Sequence, residues 1–181
     1  MPRIQPVDPT AATGAAAEQL AATRKAFGAT PNMFLTAAQS PATLTALNSL
    51  FGTLGKGLLG GKIGERIAIA VAQQNGCKYC LSAHTAIGGM HGVAAAELDA
   101  ARHGASADPK ASAAIALALA ILHTSGRVDD AVLAAARLAG LSDSEIVETV
   151  AHVALNVFTN SLNNLADTDV DFPLVSLATA A

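Results

Sequence analysis

Glu65, Cys77, Cys80 and His84 are the residues of this chain whose types and spacing can carry chemistry. Cys77 and Cys80 are its two cysteines, and a Cys-x-x-Cys pair is a two-electron redox unit. On a helix that begins near Cys77, positions 77, 80 and 84 follow one another by three- and four-residue steps and share a face. His84 then sits one turn from the Cys80 sulfur. The reactive form of cysteine is the thiolate, and both a helix N-terminus and a neighbouring imidazole favour it. The helix dipole favours Cys77 as the more acidic thiol, whereas proximity to His84 favours Cys80. Glu65 lies one helix upstream. At about 1.5 Å per residue it is some three turns from the intervening bend, so it needs a helix crossing, a water or another side chain to reach the thiols.

These residues must be positioned by helices. Ala15 to Phe27 is rich in helix formers and stops at Gly28. Thr30 and Pro31 stand as N-cap and first helical residue of a short segment, and Ser40 and Pro41 repeat that punctuation ahead of Leu44, Leu47, Leu50, Phe51 and Leu54. Gly55 to Gly61 reads as a turn. The next helix runs from about Gly64 to Gln74, and Asn75–Gly76 is a left-handed stop that leaves Cys77 at the mouth of its successor. Gly88 and Gly89 weaken the far end of that helix. Further helices are expected at Ala94–His103, Pro109–Thr124, Asp129–Ala139 and Asp143–Ala166, the last opened by a capping box from Ser142 to Glu145. With no sustained period of two anywhere, the fold class is all-α.

Residues 1–14 form an N-terminal arm that wraps a neighbour or stays mobile, 15–173 a single helical domain, and 174–181 a C-terminal tail. The segment before that tail packs through Val170 and Phe172 only. His103 and His123 end helices, and His91 lies beyond two glycines. His152, Asn156 and Asn160 recur every fourth residue as a polar stripe, which lines a pocket or bonds across a subunit contact.

Composition narrows the function classes. Of 181 residues, 51% are apolar, 3% aromatic and 14% charged, so the core is built from Ala, Leu, Val and Ile. So few charges leave apolar area for burial between subunits, and a homo-oligomer is expected. A net charge of −3 without a basic run argues against nucleic acid as a partner. The longest apolar run, around Ala113 to Leu122, is far short of the roughly 20 residues that span a bilayer, and the N-terminus lacks a secretory apolar region. A cytoplasmic protein that binds no membrane is the expectation.

The spacing Glu65-x11-Cys77-x2-Cys80-x3-His84 resembles the signature of alkylhydroperoxidase D-like proteins, in the wider carboxymuconolactone decarboxylase superfamily. PheGlyAlaThrProAsnMetPhe (27–34) and AsnValPheThrAsnSerLeuAsnAsnLeuAlaAsp (156–167) are similar to flanking segments of its peroxidase-related branch, so the likeness spans about 20–173. The resemblance implies an alkylhydroperoxidase D-like helical bundle that assembles as a trimer or hexamer. It also implies reduction of organic hydroperoxides by a cysteine cycle, with Cys80 as nucleophile, Cys77 as resolving thiol, and His84 and Glu65 in a proton relay. Such a cycle takes electrons from an external thiol or dithiol donor and uses no metal or organic cofactor. The best-characterised form of the pattern has a second histidine just before the second cysteine, where this chain has Tyr79. A phenol with a pKa of about 10 hydrogen-bonds but does not shuttle protons near neutrality, so slower peroxidase turnover is expected.

Three other readings use the same residues. Lactone chemistry of the carboxymuconolactone decarboxylase kind would not require the dithiol. A redox-responsive interaction module would change assembly on oxidation with little turnover. Zinc held by Cys77, Cys80 and His84, with Glu65 or His91 as fourth ligand, falls short of the usual two-pair signature.

Overall fold

The computed structural model describes residues 1–178, and these are arranged as nine α-helices. In chain order they are α1 (Gly14–Phe27), α2 (Asn32–Ala37), α3 (Pro41–Leu54), α4 (Gly60–Gln74), α5 (Lys78–Met90), α6 (Ala95–Arg102), α7 (Pro109–Thr124), α8 (Asp130–Leu138) and α9 (Asp143–Ala166). The described residues contain no strand, in keeping with the all-α class read from the periodicity. No helix among them is long and apolar enough to cross a membrane.

Local signals set several of these boundaries. Ser40 Oγ accepts the Thr43 N–H, and Asp108 accepts from Lys110 and Ala111 ahead of Pro109. The capping box at α9 is complete, Ser142 and Glu145 each accepting the other's backbone N–H. Two helix starts differ from the sequence expectation because their orphan N–H groups are taken by distant carboxylates. Asn32 N–H donates to Asp171 at 2.8 Å, so α2 starts one residue later than Thr30 as N-cap implies. The Leu58 and Leu59 N–H groups both donate to Glu148 of α9 at 2.9 Å, and α4 extends back to Gly60 through part of the expected glycine turn.

α4 is the central element. It pairs with α5 as an antiparallel hairpin and also meets α6, α7 and α9. The hairpin bends at Asn75 and Gly76, the glycine supplying the positive φ of 62°. Asn75 ties this bend to α9 in both directions: its Nδ2 donates to Asn160 Oδ1 and its carbonyl accepts from Asn164 Nδ2, each at 2.9 Å. Further along, Gly88 lets α5 run close, since a Cβ there would come 2.6 Å from Leu98 and 3.5 Å from the Glu65 stem. Of the two glycines expected to weaken the end of α5, Gly88 serves this approach, and the helix continues to Met90.

The two termini lie on the chain's own helices. Arg3 and Ile4 N–H donate to the Ala166 carbonyl, Val7 N–H donates to Leu35, and Gln39 donates to Gln5, so the arm is folded onto α2 and the end of α9. The tail crosses α5 and α6 through Val175 N–H to Ser82 Oγ at 3.0 Å and Arg102 to the Ser176 carbonyl at 2.8 Å. It packs through Val175 and Leu177 as well as Val170 and Phe172, which extends the expected contact. Residues 179–181 of the expected tail lie outside the described residues.

Candidate active site

Cys77 is the N-cap residue of α5, in extended backbone, and its sulfur accepts the Cys80 N–H at 3.2 Å. The Cys77 thiol in turn donates to the Cys80 sulfur, which lies 2.6 Å away. Both cysteines are free and buried. One turn on, His84 is bound through Nδ1 to Glu65 Oε2 at 2.8 Å. The route that Glu65 takes to the thiols is therefore a side chain: the antiparallel hairpin sets Glu65 and His84 at similar distances from the bend. With Nδ1 engaged, Nε2 is the ring nitrogen left for the cavity described below.

The electrostatics separate the two thiols. Burial pushes the Cys80 thiol up, but the hydrogen bond from Cys77, the charge of His84 and the amides of Asn163 and Asn160 together bring it down to about 7. Cys77 moves the other way. Its hydrogen bond to Cys80, its burial and the charge on Cys80 hold it far above the ordinary thiol range, against the opposing backbone N–H groups. For His84, burial lowers the pKa while the Glu65 carboxylate raises it, and the net shift is upward. Both shifts favour charge, negative on the Cys80 sulfur and positive on the His84 ring that Glu65 holds.

Sequence reasoning missed Asn163. Its Nδ2 donates to Cys80 Sγ at 3.3 Å from a fully buried position on α9, and its Oδ1 has no partner. Its neighbour one turn back, Asn160, was visible as part of a polar stripe, and a three-residue step from Asn160 would have found it. The other two members of that stripe do not touch the sulfur, although His152 feels the charges of Glu65 and His84. The His152 ring packs over Gly64, with Nε2 3.8 Å from Glu148 and without a hydrogen-bond partner; burial holds its pKa below the ordinary value. Asn156 turns its amide back to the His152 carbonyl at 2.8 Å.

An open-mouthed cavity leads to Cys80 and His84. Its walls are mostly apolar, and Tyr79 and Thr159 are among them, while His152 and Asn156 are not. The Tyr79 hydroxyl accepts the Met33 N–H at 3.2 Å, and burial together with the nearby Asp171 drives the phenol to a higher pKa. It is anchored as a hydrogen-bonding wall group. His91 lies against Gly61, away from the thiols, and no cluster of three or more metal-ligating side chains occurs among the described residues.

Residues 41–119, from α3 into α7 and including Glu65, Cys77, Cys80 and His84, match the model of the carboxymuconolactone decarboxylase family. Solved structures extend the likeness to the whole fold. An alkylhydroperoxidase AhpD core structure, an uncharacterized peroxidase-related protein from Ralstonia eutropha JMP134, superposes with a TM-score of 0.82 at 24% identity over 94% of this chain and 92% of that one. An uncharacterized peroxidase-related protein from Silicibacter sp. TM1040 follows at 0.77 and 20% identity, over 92% and 91% of the two chains. The debrominase Bmp8, as a cysteine-to-alanine variant in complex with 2,3,4-tribromopyrrole, gives 0.76 and 21% over 93% and 91%. No curated protein sequence matches the chain significantly. The chain thus has the alkylhydroperoxidase D-like fold, and its segment 41–119 matches the carboxymuconolactone decarboxylase model, in line with the resemblance carried by the spacing from Glu65 to His84.

Proposed function

We propose that the protein is a thiol oxidoreductase that reduces an organic hydroperoxide with the Cys77–Cys80 pair. The observation that carries this reading is the convergence on one buried sulfur, Cys80, of the Cys77 thiol, the His84 charge and the Asn163 amide. The Cys80 thiolate attacks the distal peroxide oxygen, forming an S–O bond as the O–O bond breaks. The departing alkoxide takes a proton from His84, whose cation Glu65 stabilises, and leaves as alcohol.

Cys77 then becomes competent because its surroundings change. Two of the influences that hold its pKa up, the hydrogen bond to Cys80 and the charge there, vanish once Cys80 is a sulfenic acid, while the backbone N–H groups at the helix start remain. Cys77 sulfur attacks Cys80 sulfur, the S–S bond forms, and the S–O bond breaks to release water with the Cys77 proton. Peroxide and dithiol have become alcohol, water and disulfide. An external thiol or dithiol restores the pair by exchange, and the cycle calls on no resident metal. Tyr79, neutral and bound to Met33, takes no proton, which leaves His84 as the single shuttle and supports slow turnover.

Peroxide consumption by the reduced protein, compared with Cys80→Ser, tests the reading. Loss of consumption in the variant is expected, and equal rates would refute the role of Cys80. Assembly is part of the proposal: Val147, Val150, Val157 and Leu165 lie exposed along one face of α9, the kind of surface that subunits cover.

A second reading, reductive removal of bromide from a small ring, is favoured by the rings that border the cavity over the same thiols. It would consume the same two electrons: carbon–bromine bond and dithiol would give carbon–hydrogen bond, bromide, a proton and the disulfide. Bromide release from a brominated pyrrole by the reduced protein separates it from the first reading.

A further inference from the structure

We propose that the cavity over Cys80 selects a neutral substrate that carries an aromatic ring, with Phe27, Phe34, Phe51, Tyr79 and Phe172 as the residues that set this preference. The inference deepens the oxidoreductase reading and rests on it for the identity of the reacting sulfur.

The chain has five phenylalanines, one tyrosine and no tryptophan. Five of these six rings border the cavity that leads to Cys80. They come from α1, α2, α3, α5 and the segment after α9, so no local repeat gathers them. Elsewhere the interior is filled by Ala, Leu, Ile and Val, which shows that packing this fold does not require rings. Phe27, Phe34 and Phe51 form a mutual cluster with centroids 5.1, 5.6 and 5.7 Å apart, and Tyr79 meets Phe172 edge to face at 5.9 Å. Such faces and edges favour another ring in offset or T-shaped contact.

Charge excludes the alternatives. Among the described residues no lysine or arginine borders the cavity, Cys80, whose surroundings favour its thiolate, lies at its floor, and Asp171 stands beside the Tyr79 hydroxyl. The one cationic side chain on the wall, His84, is already held by Glu65 at 2.8 Å, so a carboxylate would give up its hydration in an otherwise apolar site for a cation that another carboxylate already neutralises. Hydrogen peroxide would leave the rings uncovered. A fatty-acid hydroperoxide and a carboxylated lactone are disfavoured by the first consideration, an inorganic peroxide by the second. Phe27, 44% exposed and in contact with Phe34 and Phe51, is the ring at the solvent side and the one whose change least disturbs the core.

The test has two arms. In the first, Cys80→Ser protein is titrated with 2-phenyl-2-propanol, 2-methyl-2-propanol and benzoate, following the methyl resonances of Met33 and Ile87, both of which border the cavity. The phenyl alcohol is expected to bind about tenfold or more tightly than its tert-butyl counterpart, and more tightly than benzoate. In the second, the reduced protein is assayed with cumene and tert-butyl hydroperoxides. Cumene hydroperoxide is expected to have the higher kcat/KM by about tenfold, with Phe27→Ala lowering that ratio and Phe27→Leu lowering it less. Equal affinities, or tightest binding of benzoate, would overturn the proposal, even if tert-butyl hydroperoxide still forms the disulfide. Ring-selective binding without any disulfide formation would support this substrate class while removing the peroxidase reading.

Discussion

One core of this molecule is made of Leu59, Ile67, Val71, Leu117, Ile121, Val153 and small aliphatic neighbours, with no aromatic ring among the described residues. The other holds both cysteines, Tyr79 and Phe34, with Phe51, Phe158 and Phe172 packed against it. α4 passes between them, giving Ile67 and Val71 to the first and Ile69, Ala70 and Ala72 to the second. The difference separates two tasks. Branched aliphatic side chains fill a helical interior with no polar atom to satisfy. The ring-and-thiol core keeps an open space beside a buried thiol pair and a histidine at 13% side-chain exposure.

If the two halves divide the work in this way, a cavity in the aliphatic core should weaken the fold without retuning the thiol. Leu117→Ala, at a position 1% exposed, is expected to cost about 2–5 kcal/mol in denaturant unfolding. Its alkylation rate with iodoacetamide should still rise through a midpoint near the pH of about 7 set at Cys80. A midpoint displaced toward the ordinary thiol range would show that the halves are coupled.

Changes in the reactive half should do the reverse. His84→Ala is expected to lower peroxide turnover by about a hundredfold and to move the alkylation midpoint upward, because it removes both the cation beside Cys80 and the proton donor. Glu65→Gln acts only through His84 and should move the midpoint by less. Asn163→Leu removes one hydrogen bond to the sulfur, and a rise in the midpoint smaller than that of His84→Ala is expected.

The smallest effect is on stability against pH. The folded pKa of Cys80, about 7, lies below the ordinary thiol value, so its ionisation stabilises the fold fully above the unfolded pKa of about 8.5 and this contribution is lost as pH falls through about 7. The Tm of the wild type relative to Cys80→Ser should therefore increase between pH 6 and 8.5. A flat difference would mean that Cys80 ionises alike in the folded and unfolded chain.

What could be read in the sequence follows the range of the signal. Helices α7 and α9 begin and end where expected because Asp108, Pro109, Ser142 and Glu145 act on their own first turns. The starts of α2 and α4 were misplaced because Asp171 and Glu148, far away in sequence, take their N–H groups. The same holds at the site. Cys77, Cys80 and His84 share a helix, so their spacing was sufficient to group them. The contact between Glu65 and His84 depends on how the α4–α5 hairpin closes, and the Asn163 contact on where α9 lies against it. The aromatic wall was not legible at all, since its rings are scattered from Phe27 to Phe172 with no periodicity to connect them.

The central claim, that Cys80 attacks and Cys77 resolves, is tested most directly by mass spectrometry of the reduced protein after one equivalent of cumene hydroperoxide. The account predicts loss of two hydrogens confined to the peptide that carries Cys77 and Cys80, and a sulfenic acid held at Cys80 in the Cys77→Ser protein. An unchanged mass in the wild type, or oxidation at Cys77 in the Cys80→Ser protein at the wild-type rate, would contradict it.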